Sequence, residues 1–175
     1  LGFHPIRRKN FAALEIGRSF VKIRGRWWIV LSAAETKERR ADERRINMLL
    51  VPFIDRYLDH YRPMLVWRDS PSSALWLSSR HSGRITEKYV ATLIRATTLS
   101  TVGVKVSPHL FRTSAASAAA IYGGENPYLG SAVLHNADPR VTLEHYNRAT
   151  SLSAAESFRK IVRQYEKSDT DHGQP

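Results

Sequence analysis

Hydrophobic positions follow two spacings along this chain, and together they predict an α+β fold, mainly helical, with one small sheet. Near the start, Ile6, Phe11 and Leu14 form a stripe at helical spacing, and Gly17 supplies a stop. Two short strand-like runs follow, Phe20 to Ile23 and Trp27 to Leu31. Their link, Arg24-Gly25-Arg26, is short and carries a glycine, which predicts a hairpin. A charge-dense loop from Ala33 to Arg45 then leads to a third strand-like run, Ile46 to Val51, that stops at Pro52. The simplest assembly is a three-stranded antiparallel sheet with Lys37 between its second and third strands.

The remainder reads as helices. Phe53, Ile54, Tyr57, Leu58 and Tyr61 share one side of a helix that Pro63 ends. Loops at Arg68 to Ser73 and Ser79 to Gly83 flank a short apolar piece, Ala74 to Leu77. Thr86 caps a helix to about Leu99, with Tyr89, Val90, Leu93 and Ile94 inward. Ser107 is a good N-cap and Pro108 a good first helical residue, so a further helix runs to about Tyr122. Gly123-Gly124 breaks the chain before a short helix from about Pro127 to Leu134. Asp138 and Pro139 begin another, carrying Val141 to Tyr146, and Ser151 or Ser153 caps a last amphipathic helix through Tyr165. Ser168 to Pro175 is polar with Gly and Pro and reads as a disordered tail, which leaves 1–167 as one domain.

Charge changes the picture more than composition does. A chain of 175 residues that is 42% hydrophobic suits a soluble domain with a sizeable core. Its 27 Lys and Arg against 16 Asp and Glu leave a net charge of +11, an excess that attracts polyanions, nucleic acid before membranes. No apolar run approaches a membrane span and no signal peptide is visible. With no cysteine there is no disulfide framework and no thiolate metal site, which fits a reducing cytoplasm.

The candidate chemistry starts at Ser107-Pro108-His109-Leu110-Phe111-Arg112. His109 and Arg112 are three apart, so they share one face of a helix's first turn, beside free backbone N–H groups. That combination suits a phosphate. Upstream stand Arg7 and Arg8 after Pro5, and Lys37 in its loop, with Lys22 and Lys105 as rival lysines. Downstream come Leu134-His135-Asn136 and then Thr142-Leu143-Glu144-His145-Tyr146.

This order resembles the catalytic domain of the tyrosine recombinases, the phage-integrase family, whose signature runs Arg, Lys, His-x-x-Arg, His or Trp, Tyr. The resemblance covers the chain from Pro5 to about Ala149. It implies Arg7 (Arg8 is one register step away) as the first arginine, Lys37 as the hairpin lysine, His109 and Arg112 as the paired box, and Tyr146 as the nucleophile. Relatives read Leu-Gly-His or Leu-His-His in the third box, so either His135 or Asn136 fills that position here. Asn donates a hydrogen bond to phosphate but carries no charge.

The implied reaction cuts and rejoins DNA through a 3′-phosphotyrosyl bond, with no cofactor and no metal. The implied partners are double-stranded DNA, three further copies of the chain in a tetramer on DNA, and an accessory DNA-bending protein. The isolated chain is expected to be a monomer. The implied setting is a prokaryotic nucleoid or a mobile element. An N-terminal DNA-binding domain, usual in the family, has no counterpart in this sequence. The competing expectations are a degenerate DNA-binding module, a type IB topoisomerase and an RNA-binding protein.

Overall fold

In the computed structural model, which describes residues 2–66, 72–80, 83–122, 129–134 and 158–160, strand β1 (Phe20–Ile23) turns into β2 (Arg26–Leu31) through Arg24 and Gly25 alone. Both turn residues have positive φ, 48° and 75°. That is the two-residue hairpin geometry that matches strand twist, and Gly25 adopts it freely. β2 pairs on its other side with β3 (Asp42–Arg45), so the sheet is antiparallel with order β1-β2-β3.

The third strand is not where hydrophobicity pointed. Ile46 to Val51 was the expected strand; instead β3 lies at Asp42–Arg45 and the expected run begins a helix. The reasons are local. Asn47 caps a 3-10 turn (Met48–Leu50), its Oδ1 accepting from the Leu49 amide at 2.9 Å. Pro52 then occupies the first turn of α2 (Val51–Arg56), where its missing N–H costs nothing. Of the expected strand Ile46 is buried in the core, and Leu50 and Val51 pack against it partly buried.

α2 passes through a wide π turn (Tyr57–Tyr61) into α3 (Arg62–Leu65), so Pro63 does not end the helix. The Arg62 amide reaches back to the Tyr57 carbonyl, and this widening relieves the clash a proline brings to a regular helix. Ile54, Tyr57 and Leu58 pack on the core, whereas Phe53 and Tyr61, expected on the same side, are exposed. The Tyr57 hydroxyl donates to the Leu75 carbonyl at 2.9 Å, which fastens the segment Ala74 to Leu77 to this helix.

α1 (Arg8–Ala12) is shorter than the stripe suggested and closes at Ala13; Gly17 serves the following turn at φ 82°. Ile6, Leu14, Phe20, Ile29, Leu31, Ile46 and Leu75 form the main buried cluster. Phe20 stacks on Trp27 with centroids 4.8 Å apart. α4 (Glu87–Val102) is capped by Thr86, whose Oγ1 accepts from the Tyr89 amide, and ends at Gly103 in the left-handed conformation. Its buried side is Val90 and Ala91 with Ile94 beside them, packed with Ala12. Tyr89 and Leu93, expected inward, are exposed.

The chain divides into two units, Leu1–Thr113 and Ser114–Pro175. The first holds everything so far and the start of α5 (Pro108–Tyr122). The second holds the rest of α5 and α6 (Leu129–Leu134), with Ala116 and Leu134 buried. Of the last expected helix, residues 158–160 are described and are helical. The expected helix at Val141 to Tyr146 and the expected tail lie outside the described residues. No described helix is long and apolar enough to cross a membrane.

Candidate active site

Arg112 and Arg7 come from distant parts of the sequence and lie near enough for the charge of one to act on the other. Ser107 starts α5 as expected, its Oγ accepting from the Leu110 amide at 3.4 Å. The link from α4 is held by Thr98, whose hydroxyl accepts from the Val106 amide at 2.9 Å. Pro108 is buried, so the first turn is seated and Arg112 projects inward. One guanidinium nitrogen of Arg112 donates to the carbonyl of Pro5. Pro5 and Ile6 are themselves buried, so the segment that receives Arg112 is part of the core.

Arg7 follows directly. It stands at the N-cap of α1 in extended backbone, which turns its side chain back toward the same place. Its Nη2 donates to Glu38 Oε1 at 2.8 Å. Arg8, the rival by one position, points outward to Glu87 of α4 at 3.6 Å, with both side chains largely exposed. Of the two arginines, Arg7 is therefore the one whose charge acts on Arg112.

The strand that hydrophobicity missed supplies the floor. On β3 the inward positions are Asp42 and Arg44, opposite Leu31 and Ile29 of β2. They form a two-point ion pair, Arg44 Nε to Asp42 Oδ1 at 2.7 Å and Nη2 to Oδ2 at 2.9 Å. The pair is nearly enclosed, with side-chain exposures of 11% and 6%. Burial and then the charges of Arg7 and Arg44 push the Arg112 guanidinium down to about 10, while Asp42 and Glu38 oppose the shift. Arg112 remains charged at neutral pH. Among the charges that act on Arg112, two further guanidiniums and two carboxylates leave, with Arg112 itself, an excess of one positive charge near this half-buried side chain.

His4 completes the surround. Its Nε2 accepts from the Asn47 amide at 3.0 Å, so this nitrogen carries no proton and the ring is neutral. Burial first, then neighbouring positive charge including Arg44, lowers its pKa.

The other expected site residues divide three ways. Lys37 is exposed in the turn between β2 and β3, next in sequence to the Glu38 that holds Arg7. His109 is on the first turn of α5 with its side chain exposed. His135, Asn136 and Tyr146 lie outside the described residues; the residue before them, Leu134, is buried at the end of α6. Glu38, Asp42, Arg44 and His4 were not singled out from the sequence. Asp42-Glu43-Arg44-Arg45 is wholly charged, so its alternation of inward and outward positions shows in the structure and not in the sequence.

No protein-family model matches the sequence, and no curated protein does. Solved structures do. A crystal structure of XerA recombinase matches over 89% of this chain and 53% of its own, with TM-score 0.61 and 19% identity. The XerH site-specific recombinase bound to its difH substrate before cleavage matches over 88% of this chain and 42% of its own, with TM-score 0.62 and 15% identity. The post-cleavage complex of XerH with palindromic difH gives 91% and 43%, with TM-score 0.68 and 13% identity. The fold is that of a recombinase catalytic domain. At such identities the likeness concerns the fold, and this chain spans about half the length of those proteins or less.

Proposed function

We propose that this chain is the catalytic part of a site-specific tyrosine recombinase that cuts and rejoins double-stranded DNA. The observation that supports it most is the meeting of Arg7 and Arg112 in one electropositive recess, on a fold shared with recombinases that were solved on DNA. In this reading the two guanidiniums grip the non-bridging oxygens of one backbone phosphate, each through a two-point fork that lysine cannot form.

The Tyr146 hydroxyl attacks that phosphorus. Its oxygen forms a bond to phosphorus as the bond to the 5′ oxygen breaks, which leaves a 3′-phosphotyrosyl link and a 5′ hydroxyl. His109 takes the proton from Tyr146, and Lys37 delivers one to the leaving oxygen. His135 or Asn136 adds a hydrogen bond to the phosphate. Attack by another 5′ hydroxyl reverses the sequence and joins new ends. Bond energy is conserved throughout, so no nucleotide cofactor is needed, and the arginines supply the positive charge that a metal would otherwise bring. Strand exchange requires several copies of the chain on paired DNA sites.

A second reading has its own support: Asn136, where relatives have His or Trp, fits a module that grips DNA without cutting it. One experiment separates the two. The chain is incubated with a pool of nicked duplexes of randomised sequence, and covalent adducts are resolved on a denaturing gel. The recombinase reading expects an adduct that Tyr146→Phe abolishes and Arg112→Ala reduces by about 10²-fold or more. Binding without any adduct favours the module.

A further inference from the structure

The turn that carries Lys37 is tied down at one point that matters. Glu38 reaches across to Arg7, Oε1 to Nη2 at 2.8 Å, and it is the more enclosed partner, its side chain 19% exposed against 34% for Arg7. A carboxylate oxygen at that distance occupies the position a phosphate oxygen would take on the same guanidinium. The turn around it is under tension. Arg39, next in the chain, has φ of 50°, a left-handed conformation that a side chain with Cβ adopts at a cost. The base of the turn is held separately: the Thr36 hydroxyl donates to the Arg40 carbonyl at 2.7 Å and accepts from the Arg40 amide at 3.1 Å. The tip can therefore leave Arg7 while the base stays closed.

We propose that Glu38 is a stand-in for the DNA phosphate on Arg7, and that a backbone phosphate displaces it, freeing the turn so that Lys37 can approach the leaving oxygen. The proposal rests on the recombinase reading for Lys37 and the phosphate, and it adds a positioning residue to that site. Charge supports it. With Glu38 in place, three guanidiniums face two carboxylates, an excess of one positive charge. Exchange of Glu38 for a phosphodiester leaves the excess unchanged, so DNA binds without overloading the recess. The extra negative charge that develops at phosphorus in the transition state then cancels it. Were Glu38 to stay, that developing charge would meet a carboxylate at hydrogen-bond distance from the same arginine.

The test compares the full chain with Glu38→Gln, Glu43→Gln, Arg7→Ala and the double variant Arg7→Ala/Glu38→Gln. Glu43 lies on β3 with its side chain exposed, so its variant changes net charge equally without touching Arg7. Two quantities are read: affinity for a fluorescein-labelled duplex across a salt series, and the rate of adduct formation at saturating nicked duplex. Glu38→Gln is expected to tighten duplex binding by roughly three- to tenfold. Glu43→Gln gives less than half that gain, and in the Arg7→Ala background the gain vanishes. The saturated rate stays within about twofold, because the bound complex has already released Glu38.

Equal gains from Glu38→Gln and Glu43→Gln, or a gain that survives Arg7→Ala, would overturn the proposal in favour of plain charge repulsion. A saturated rate that falls, with affinity unimproved, would show Glu38 to be a permanent support of Arg7 and overturn it as well. Failure of the recombinase reading shows itself differently, as no adduct from the wild-type chain, and the binding comparison still decides whether Glu38 guards Arg7.

Discussion

The central strand β2 and the edge strand β3 lie side by side and solve burial in opposite ways. β2 turns Ile29 and Leu31 inward, and they join Phe20 and Leu14 in a core that needs only shape and water exclusion. β3 turns Asp42 and Arg44 inward at the positions directly opposite, where a two-point ion pair joins them. The apolar side is self-sufficient. The charged side is conditional: Arg7, Arg44 and Arg112 outnumber Glu38 and Asp42 by one charge. A fold that needed only stability would have continued the apolar layer into β3.

The largest expected effect tests whether the pair is the unit. Asp42→Asn leaves the Arg44 guanidinium enclosed against a neutral amide and should destabilise the domain by about 3 kcal/mol or more. Asp42→Leu combined with Arg44→Met removes both charges, extends the apolar layer of β2, and should return stability to within about 1 kcal/mol of the parent. Urea midpoints of the three proteins measure this directly. If the double variant is no more stable than the single one, the charged layer is not a balanced pair and the contrast with β2 collapses.

A smaller effect sharpens the same contrast through pH. His4 accepts a hydrogen bond from Asn47 as a neutral ring, and its pKa in the fold lies below the ordinary 6.5. The unfolded chain therefore takes up a proton that the folded chain refuses. Stability from this group is complete above 6.5 and declines as pH falls from there toward the lowered value. Thermal melts between neutral pH and pH 5 should show the decline. His4→Gln keeps an acceptor for Asn47 but does not titrate, so its melts should fall less steeply over the same window. Identical slopes would remove His4 from the charged surround.

This division also explains what could be read from the sequence. Both strands of the hairpin, the caps Thr86 and Ser107 and the seating of α5 were legible, because turn chemistry and capping act over a few residues. Arg7, Lys37 and the His109–Arg112 box were read from the sequence as a spaced set; of these the structure has Arg7 acting on Arg112, with Lys37 and His109 exposed. β3 was not, since its inward face is charged and the hydrophobic pattern slid the strand onto Ile46 to Val51. The continuation of the helix past Pro63 was hidden for a related reason: the widened turn that accepts the ring is set by packing of Tyr57 on the Leu75 backbone. Glu38 stayed invisible because its partner Arg7 is 31 residues away, and a pair across the fold leaves no mark in a single sequence; Asp42 and Arg44 stayed invisible because nothing in a run of four charged residues says which of them turn inward.

The smallest expected effect comes from neighbours in the chain. Arg7 and Arg8 differ by one position, yet one is turned into the recess and the other toward solvent. The contact of Arg8 with Glu87 spans 3.6 Å between side chains 42% and 50% exposed. Water screens such a pair and its two long side chains lose freedom in forming it, so Arg8→Ala should change stability by less than about 0.5 kcal/mol. Its effect on duplex binding should be that of one lost surface charge, a lower slope against salt with little loss at high salt. Arg7→Ala should instead lose affinity that added salt does not mask, because its guanidinium acts from within the recess beside Arg112. Equal losses at every salt concentration would mean that the recess confers no advantage over open surface.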